Sequence, residues 1–442
     1  MIDLLSKKWS LGILLTASIL VHFLFFGHPN QIVFDEVHFG KFISAYYTHE
    51  YYFDIHPPLG KLIIAGFGKL FDFKPEFSFA EIGEKFPDNK YMALRFLPSL
   101  AGTLLPLVIY LLALELGFSR LAALIGGLLI IFENALLVQS RYILLDAFLL
   151  LGGFTSLLFY FRYHAGKGWK NLIGVGIGAG LAMSIKWTGL TFLALPAFIE
   201  IFELIKHRRI ADILPKVACL VVLPLSIYAA AFAVHFSLLY KSGDGDAFMS
   251  QRFQVTLQGS DAVSDESPPS FIEKLIELNV EMYRSNQRLT ADHPYGSKWY
   301  TWPLMTRPIY YWVDGQERIY LMGNPIIWWT STLATVMLIS MLIFETKRIK
   351  QVAVILLIGY VLNLLPFIGI QRVMFLYHYL TALIFAVLIL IYLIDQQRAS
   401  SKYFAVLAIV AGLSFVYFAP LTYGLPLEPE AYNHRTWLPS WR

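Results

Sequence analysis

The chain has 442 residues, 57% of them hydrophobic and only 15% charged, and its mean hydropathy is +0.57. An ordinary soluble domain carries about 25% charged residues, so a solvated globular enzyme is excluded and a lipid solvent is required. A net charge of +4 from dispersed basic residues excludes a nucleic-acid groove, and the single cysteine, Cys219, can form neither an internal disulfide nor a thiolate metal site.

Taken in chain order, Lys7 and Lys8 lead into an apolar stretch from Leu11 to Phe26. It reads as a first span and not as a secretory leader, because no small-x-small cleavage site follows. Further apolar runs predict spans over 93–114, 121–138, 143–161, 171–186, 188–205, 214–239, 325–344, 352–370, 373–394 and 403–420, which with 11–27 makes about eleven helices. Lys and Arg in short loops resist translocation. With a cytoplasmic amino terminus, the inner segments hold Lys7, Lys8, Arg120, Arg162, Lys167, Lys170, Lys206, Arg208, Arg209, Lys216, Lys347, Arg348, Lys350, Arg398 and Lys402. The short outer turns hold only Arg141, Lys186 and Arg372. This asymmetry predicts that two long loops, 28–92 and 240–324, and the carboxyl terminus lie outside.

In the first long loop, Leu59, Leu62, Ile63, Phe67 and Leu70 recur at helical spacing after Pro57-Pro58, with Lys61 and Lys69 elsewhere on the wheel. An interfacial helix is therefore expected over 58–71. In the second, Ser270 stands three residues before Glu273, ahead of Ile272, Leu275, Ile276 and Met282, a capping-box start to another amphipathic helix. The stretch 240–269, rich in Gly, Ser and Asp, is expected to be flexible. Gly174, Gly176, Gly178 and Gly180 sit in an apolar span with no preceding strand, so they predict close helix packing and not a nucleotide loop. His49-Glu50 lacks the second His of a zinc-binding helix, and no structural zinc is expected.

A charge near the middle of a span costs roughly 2.5–3.5 kcal/mol, so charges at membrane depth are kept to pair or to act. Arg141, Asp146, Lys186 and Arg372 fall at outer ends of spans, on four different helices or turns. Singly, each reads equally well as a side chain snorkelling to the interface. Together, three cations where the short outer turns otherwise lack them point to an anion at that surface, and a lipid phosphate fits bidentate Arg and point-charge Lys. The first loop supplies the opposite charge. Asp35-Glu36 directly follows the first span, then His38, Lys41 and Asp54-Ile55-His56-Pro57-Pro58. A carboxylate held there suits a general base, although acidic pairs also commonly begin helices.

The motifs VFDEVHFGKF, YYFDIHPPLGKL, MALRFLPSLAG, FENALLVQSRYILLDAFLL, SIKWTGL and RVMFLYHYLTAL occur in this order, and together they resemble the protein O-mannosyltransferase family. The stretch HPYGSKWYTWPLMTRPIYYW resembles the second outer loop of its bacterial and archaeal members. The eukaryotic enzymes carry a β-trefoil insertion there, whereas about 85 residues are present here, so the likeness is to the prokaryotic form. The resemblance implies an all-α polytopic GT-C glycosyltransferase fold, with a catalytic module over 1–240, a second outer loop over 241–324 and a four-span region over 325–442. It implies inverting transfer of mannose from a polyprenyl (dolichyl) phosphate carrier to Ser or Thr hydroxyls of proteins being translocated, at the outer face of a prokaryotic plasma membrane, with the secretion translocon as a further partner.

The resemblance also assigns residues. Asp35 would be the base and Glu36 its support. Lys186, Arg372 and Arg141 would face the carrier phosphate, with Asp146 holding Arg141 in place. His56, Tyr377, His378 and Tyr379 would line the acceptor, sugar or carrier pocket, with Asp54 in support. Arg95 belongs with that pocket or braces the first loop by an ion pair. Fixed cations would take the place of a divalent metal, so no cofactor is required; a metal on Asp35 or Glu36 stays open. Three readings compete: a relative that adds a sugar to a lipid such as lipid A, a lipid or sugar flippase, and an inactive partner subunit. The expected geometry is a single cavity enclosed by Asp35 and the basic helix tips.

Overall fold

The computed structural model describes residues 6–207, 213–288, 293–344 and 350–442. Arg208, Arg209, Lys347 and Arg348, counted above among the inner charges, lie outside the described residues. The first half runs α1 (Lys7–Phe23), α2 (Glu36–Thr48), α3 (Leu59–Leu70), α4 (Tyr91–Glu115), α5 (Arg120–Ile131), α6 (Asn134–Arg141), α7 (Asp146–His164), α8 (Lys170–Met183) and α9 (Thr191–His207). Then come α10 (Ile213–Val217), continued through a π-helical turn into α11 (Leu223–Leu238), α12 (Gln251–Gln254) and α13 (Phe271–Arg288). A hairpin of β1 (Ile309–Asp314) and β2 (Glu317–Leu321) precedes α14 (Pro325–Phe344), α15 (Gln351–Leu362), α16 (Leu380–Asp395), α17 (Ser400–Tyr423) and α18 (Pro429–Asn433).

Every expected span is occupied by helix. Among the described residues, seven helices are long and apolar enough to cross a membrane, and eight if the bent pair α5–α6 is one span. The other three segments hold α1, of 17 residues, α7, which begins on Asp146 and ends beyond Arg162, and α8, of 14 residues. The apolar surfaces of α9, α14 and α17 face outward, whereas α16 is buried from Leu380 to Tyr392, as a helix apolar all round should be. It packs on α5, α14 and α15 and so joins the two halves, while α4 lies against α1, α5 and α7.

The glycines of α8 do what packing requires. A Cβ at Gly178 would meet the Gly152 carbonyl of α7 at 2.8 Å, and one at Gly176 would meet the Cys219 carbonyl at 2.2 Å. The capping box of α13 is formed, with Ser270 N–H donating to Glu273 (2.7 Å) and Glu273 N–H to Ser270 Oγ (3.4 Å). At one end of the bundle Glu115 pairs with Arg162 and Lys167, Ser119 donates to Asp395, and Lys350 to Gln396. The two long loops share the other end, joined through the Glu50–Lys241 bridge.

Three expectations need correction. The span over 121–138 is broken by 56°, because the buried Glu133 carboxylate accepts from Ala135 N–H (3.1 Å) and starts a new helix there. Beside the helices stands one short hairpin, turned by Asp314-Gly315 with Gly315 at φ 56°, a turn signal that the apolar runs did not bring out. The stretch 240–269 is packed, with Phe248 stacked on Phe53 (4.2 Å) and Gly243 and Gly245 seated against the backbone of Tyr51 and Tyr52. Lys61 does not lie on a solvated face of α3. It is fully buried and ion-paired with Asp54.

Glu133 also accepts from Asn324 N–H (3.0 Å), at the start of α14, and so fastens the two halves. Glu133→Ala strands two buried N–H groups, at about 1–3 kcal/mol each. The expected outcome is a clearly lower midpoint of thermal unfolding in detergent, with Glu133→Gln, which keeps an acceptor oxygen, falling much less.

Candidate active site

Asp35 sits at the N-cap of α2, directly after Phe34, whose φ of 48° lies in the left-handed region. Its carbonyl accepts from His38 and Phe39, but its carboxylate has no hydrogen-bond or ion-pair partner among the described residues. Glu36 is the opposite case. It is fully buried, forked to Arg95 at 2.7 and 2.6 Å, and accepts from Val33 N–H (2.8 Å) and Ile143 N–H (2.9 Å). Arg95 gives its remaining donors to the carbonyls of Gly27, Pro29 and Gln31, so all five are engaged. Arg95 therefore braces the first loop and does not line a pocket, and Glu36 is an anchor whose oxygens already hold four donors.

The three cations separate. Lys186 lies in the extended break between α8 and α9, and its ammonium grips both oxygens of Asp146 at 2.8 Å beneath the Tyr377 ring (5.2 Å). Arg372 lies in the turn before α16, donates to His378 Nε2 (3.1 Å), and has no carboxylate partner among the described residues. That bond makes Nε2 the acceptor, so His378 carries its proton on Nδ1 and donates to the Phe375 carbonyl (2.9 Å). Arg141 is corrected. Its guanidinium donates to the carbonyls of His22 (2.6 Å), Leu24 (2.8 Å) and Phe25 (2.8 Å) and stacks on Tyr423, which closes off the end of α1. Asp146 accordingly holds Lys186, not Arg141, and Tyr379 is buried against Trp328 and lines neither of the two cavities at this site.

Two cavities meet here where one was expected. The first, of about 390 Å³, is lined by Asp146, Lys186 and His378, by the apolar Leu190, Leu362, Pro366 and Ile370, and by the amides of Asn286 and Asn363. The second, of about 750 Å³, is lined by Asp35, His38, Asp54 and the rings of Phe42, Phe53, Phe248 and Phe375. His56, Arg372, Tyr377 and Ile55 line both and form the wall between them. Burial pushes the Asp35 carboxyl up to about 7, a rise that nearby Lys186 and Arg372 oppose and Asp146 and Asp54 reinforce. Burial, then Lys186 and Arg372, hold His56 well below the ordinary imidazole range, so it is neutral. Among the described residues no group of three His, Cys, Asp or Glu side chains converges as a metal set would.

Sequence reading missed Gln139 and Tyr311. Tyr311 donates to Gln139 Oε1 (2.5 Å), and Gln139 Nε2 donates to Asp146 (2.6 Å). A lone amide in an apolar run was the available signal for Gln139, and the unread hairpin was the signal for Tyr311.

Residues 12–240 match the family described as dolichyl-phosphate-mannose-protein mannosyltransferase, and 271–441 match the C-terminal four-span region of protein O-mannosyltransferase. The chain is 34% identical over 277 residues to dolichyl-phosphate-mannose–protein mannosyltransferase 4 of Candida albicans, covering 58% of this chain and 37% of that protein. It is 34% identical over 256 residues to protein O-mannosyltransferase 1 of Drosophila melanogaster, covering 54% and 29%. The chain thus spans about a third of the length of these curated relatives. The S. cerevisiae protein O-mannosyltransferase complex bound to the sugar donor superimposes with a TM-score of 0.93 over 99% of this chain and 92% of that one, at 21% identity. The Archaeoglobus fulgidus oligosaccharyltransferase gives 0.55 over 98% and 57%, at 13% identity. These likenesses identify the polytopic GT-C glycosyltransferase fold. With a family match over more than half of its length, the chain belongs to the dolichyl-phosphate-mannose-protein mannosyltransferase family.

Proposed function

We propose that this chain transfers mannose from a polyprenyl (dolichyl) phosphate carrier to Ser or Thr hydroxyls of proteins, with inversion. The observation that carries the reading is the unpaired Asp35 carboxyl, poised near neutrality across a shared wall from a largely apolar cavity that holds Lys186 and Arg372. The activity named for the relatives supports the same chemistry.

In this reading the acceptor segment lies in the larger cavity and the lipid carrier in the apolar one, with its phosphate toward Arg372 and Lys186. Asp35 takes the proton of the acceptor hydroxyl as its oxygen attacks the anomeric carbon. The bond from that carbon to the phosphate oxygen breaks on the opposite face, and its electron pair leaves with the polyprenyl phosphate. Arg372 and Lys186 stabilise the charge that grows on the leaving group in a water-poor site, while the two cavities hold the reactants in contact. Asp146 loses part of its hold on Lys186 when the phosphate arrives, which makes Lys186 a shared cation and Arg372 the uncommitted one. His56, neutral at the wall, accepts or donates hydrogen bonds to the sugar without competing for the phosphate. The division proposed is a catalytic module over 1–240, an outer loop over 241–324 and a C-terminal region over 325–442; the family match over 12–240 supports the first part. The charge asymmetry of the loops supports an active site on the outer face of the membrane, and the short second outer loop favours a prokaryotic plasma membrane, where a translocon would deliver acceptors.

Incubation of purified protein with polyprenyl-phosphate-mannose and a Ser/Thr-rich peptide tests the reading by mass spectrometry; absence of a hexose increment would sink it. Asp35→Asn is expected to keep carrier binding and to lose roughly 10²–10⁴ in turnover, and near-wild-type transfer by that variant removes Asp35 from the mechanism. Arg372→Ala is expected to lower kcat/KM for the donor by roughly 10²–10³, and Lys186→Ala by less, both with a smaller effect on the peptide KM. Equal donor dependence in both variants and the wild type would refute the phosphate assignment. Because the base acts only when ionised, the rate rises with pH through an acid limb near 7 and levels above it; a profile flat from pH 5 to 8 contradicts the assignment.

A further inference from the structure

We propose that Tyr311, on the second outer loop, is a positioning residue that ties the Asp35 backbone to the Lys186 ammonium, so that seating the hairpin sets base and cation together. The inference rests on the chemistry proposed above and extends it to a residue outside both cavity linings.

The hairpin register pairs Tyr310 with Tyr320 and Trp312 with Ile319, which leaves Tyr311 without a partner in a β-bulge. Bulges re-aim side chains and free backbone groups, and both consequences are used here. The Tyr311 carbonyl accepts from Phe34 N–H (3.0 Å). Its ring lies flat on the Phe34 ring, with centroids 4.0 Å apart and planes 7° from parallel. Phe34 is the residue with φ 48°, a conformation that a bulky side chain keeps only when its surroundings over-determine it. Tyr311 supplies that constraint from above, and the Glu36 bond to Val33 N–H supplies it from below. Asp35, between them, has its direction fixed without a bond to its own carboxylate.

The other arm runs through the hydroxyl. Tyr311 donates to Gln139 Oε1 (2.5 Å), Gln139 Nε2 donates to Asp146 (2.6 Å), and Asp146 holds Lys186 (2.8 Å). The amide has one acceptor end and one donor end. By engaging the acceptor end, Tyr311 forces the donor end onto the carboxylate. Without the hydroxyl, the amide is free to turn its oxygen toward Asp146, which repels it and releases Lys186 from its place. All four members of the chain are buried, and Tyr311 and Gln139 line neither of the two cavities, so the bond between them is held inside the protein.

The experiment separates the two arms. Tyr311→Phe keeps the stack and removes the hydroxyl; it is expected to raise the donor KM and to weaken polyprenyl phosphate binding, measured without turnover, by about 3–10-fold, with kcat changed less. Gln139→Leu is expected to do the same, and the double variant to be no worse than either single one, the non-additivity that a shared link requires. Tyr311→Leu also removes the stack and is expected to lower kcat and move the acid limb, where Asp35 faces Lys186, Arg372, Asp146 and Asp54. Wild-type phosphate affinity in Tyr311→Phe, or additive effects with Gln139→Leu, overturns the proposal even if Tyr311→Leu fails to fold. A wild-type protein that transfers no hexose defeats the functional reading alone, since the phosphate-binding arm still decides whether Tyr311 and Lys186 are linked.

Discussion

The site depends on one buried ion pair. Glu36 and Arg95 are both fully buried, and each satisfies the other while collecting the backbone groups of the loop that follows α1. A buried charge left alone costs several kcal/mol, so neither partner can be withdrawn without undoing the turn that carries Asp35. The pair divides the work of two adjacent carboxylates: one is saturated with donors, and its neighbour is left with none. That contrast makes the free carboxyl hard to ionise and therefore basic near neutrality, whereas two half-satisfied acids would each be ordinary.

The same economy of partners separates the cations. Arg141 is caged by carbonyls, Lys186 is balanced by Asp146, and Arg372 alone of the three meets the cavities without a carboxylate. Electrostatic stabilisation in a low-dielectric site is strongest from groups held before the charge appears. The Lys186–Asp146 pair holds its charge in place in exchange for part of its strength, and Arg372, which leans on a neutral histidine, keeps its strength undivided.

How far the sequence spoke is clear from particular residues. Apolar run length located a helix in every expected span, seven or eight of them long and apolar enough to cross a membrane among the described residues, since burial in lipid leaves a signal longer than any packing detail. The Ser270–Glu273 box was legible because its partners are three residues apart. Among the residues singled out from sequence, Asp35, Asp54, His56, Asp146, Lys186, Arg372, Tyr377 and His378 line the paired cavities. Arg141 could not be told from Arg372, because an unexplained cation at a helix tip looks the same whether carbonyls or open space await it. Lys61 looked solvated because its partner, Asp54, precedes the helix whose wheel was being read. The kink at Glu133 escaped because hydropathy averages over one acid, and the hairpin escaped because a membrane reading weighs length over alternation.

The glycine contact between α7 and α8 has a consequence at their shared end. Gly152 and Gly178 let main chain touch main chain, so the spacing between the first residue of one helix and the last turn of the other is set by atoms that no rotamer change alters. Lysine ordinarily offers its charge on a loose tether of four methylenes. Here the far end of the tether is tied as well, because the Asp146 carboxylate at the start of α7 holds the ammonium through both oxygens.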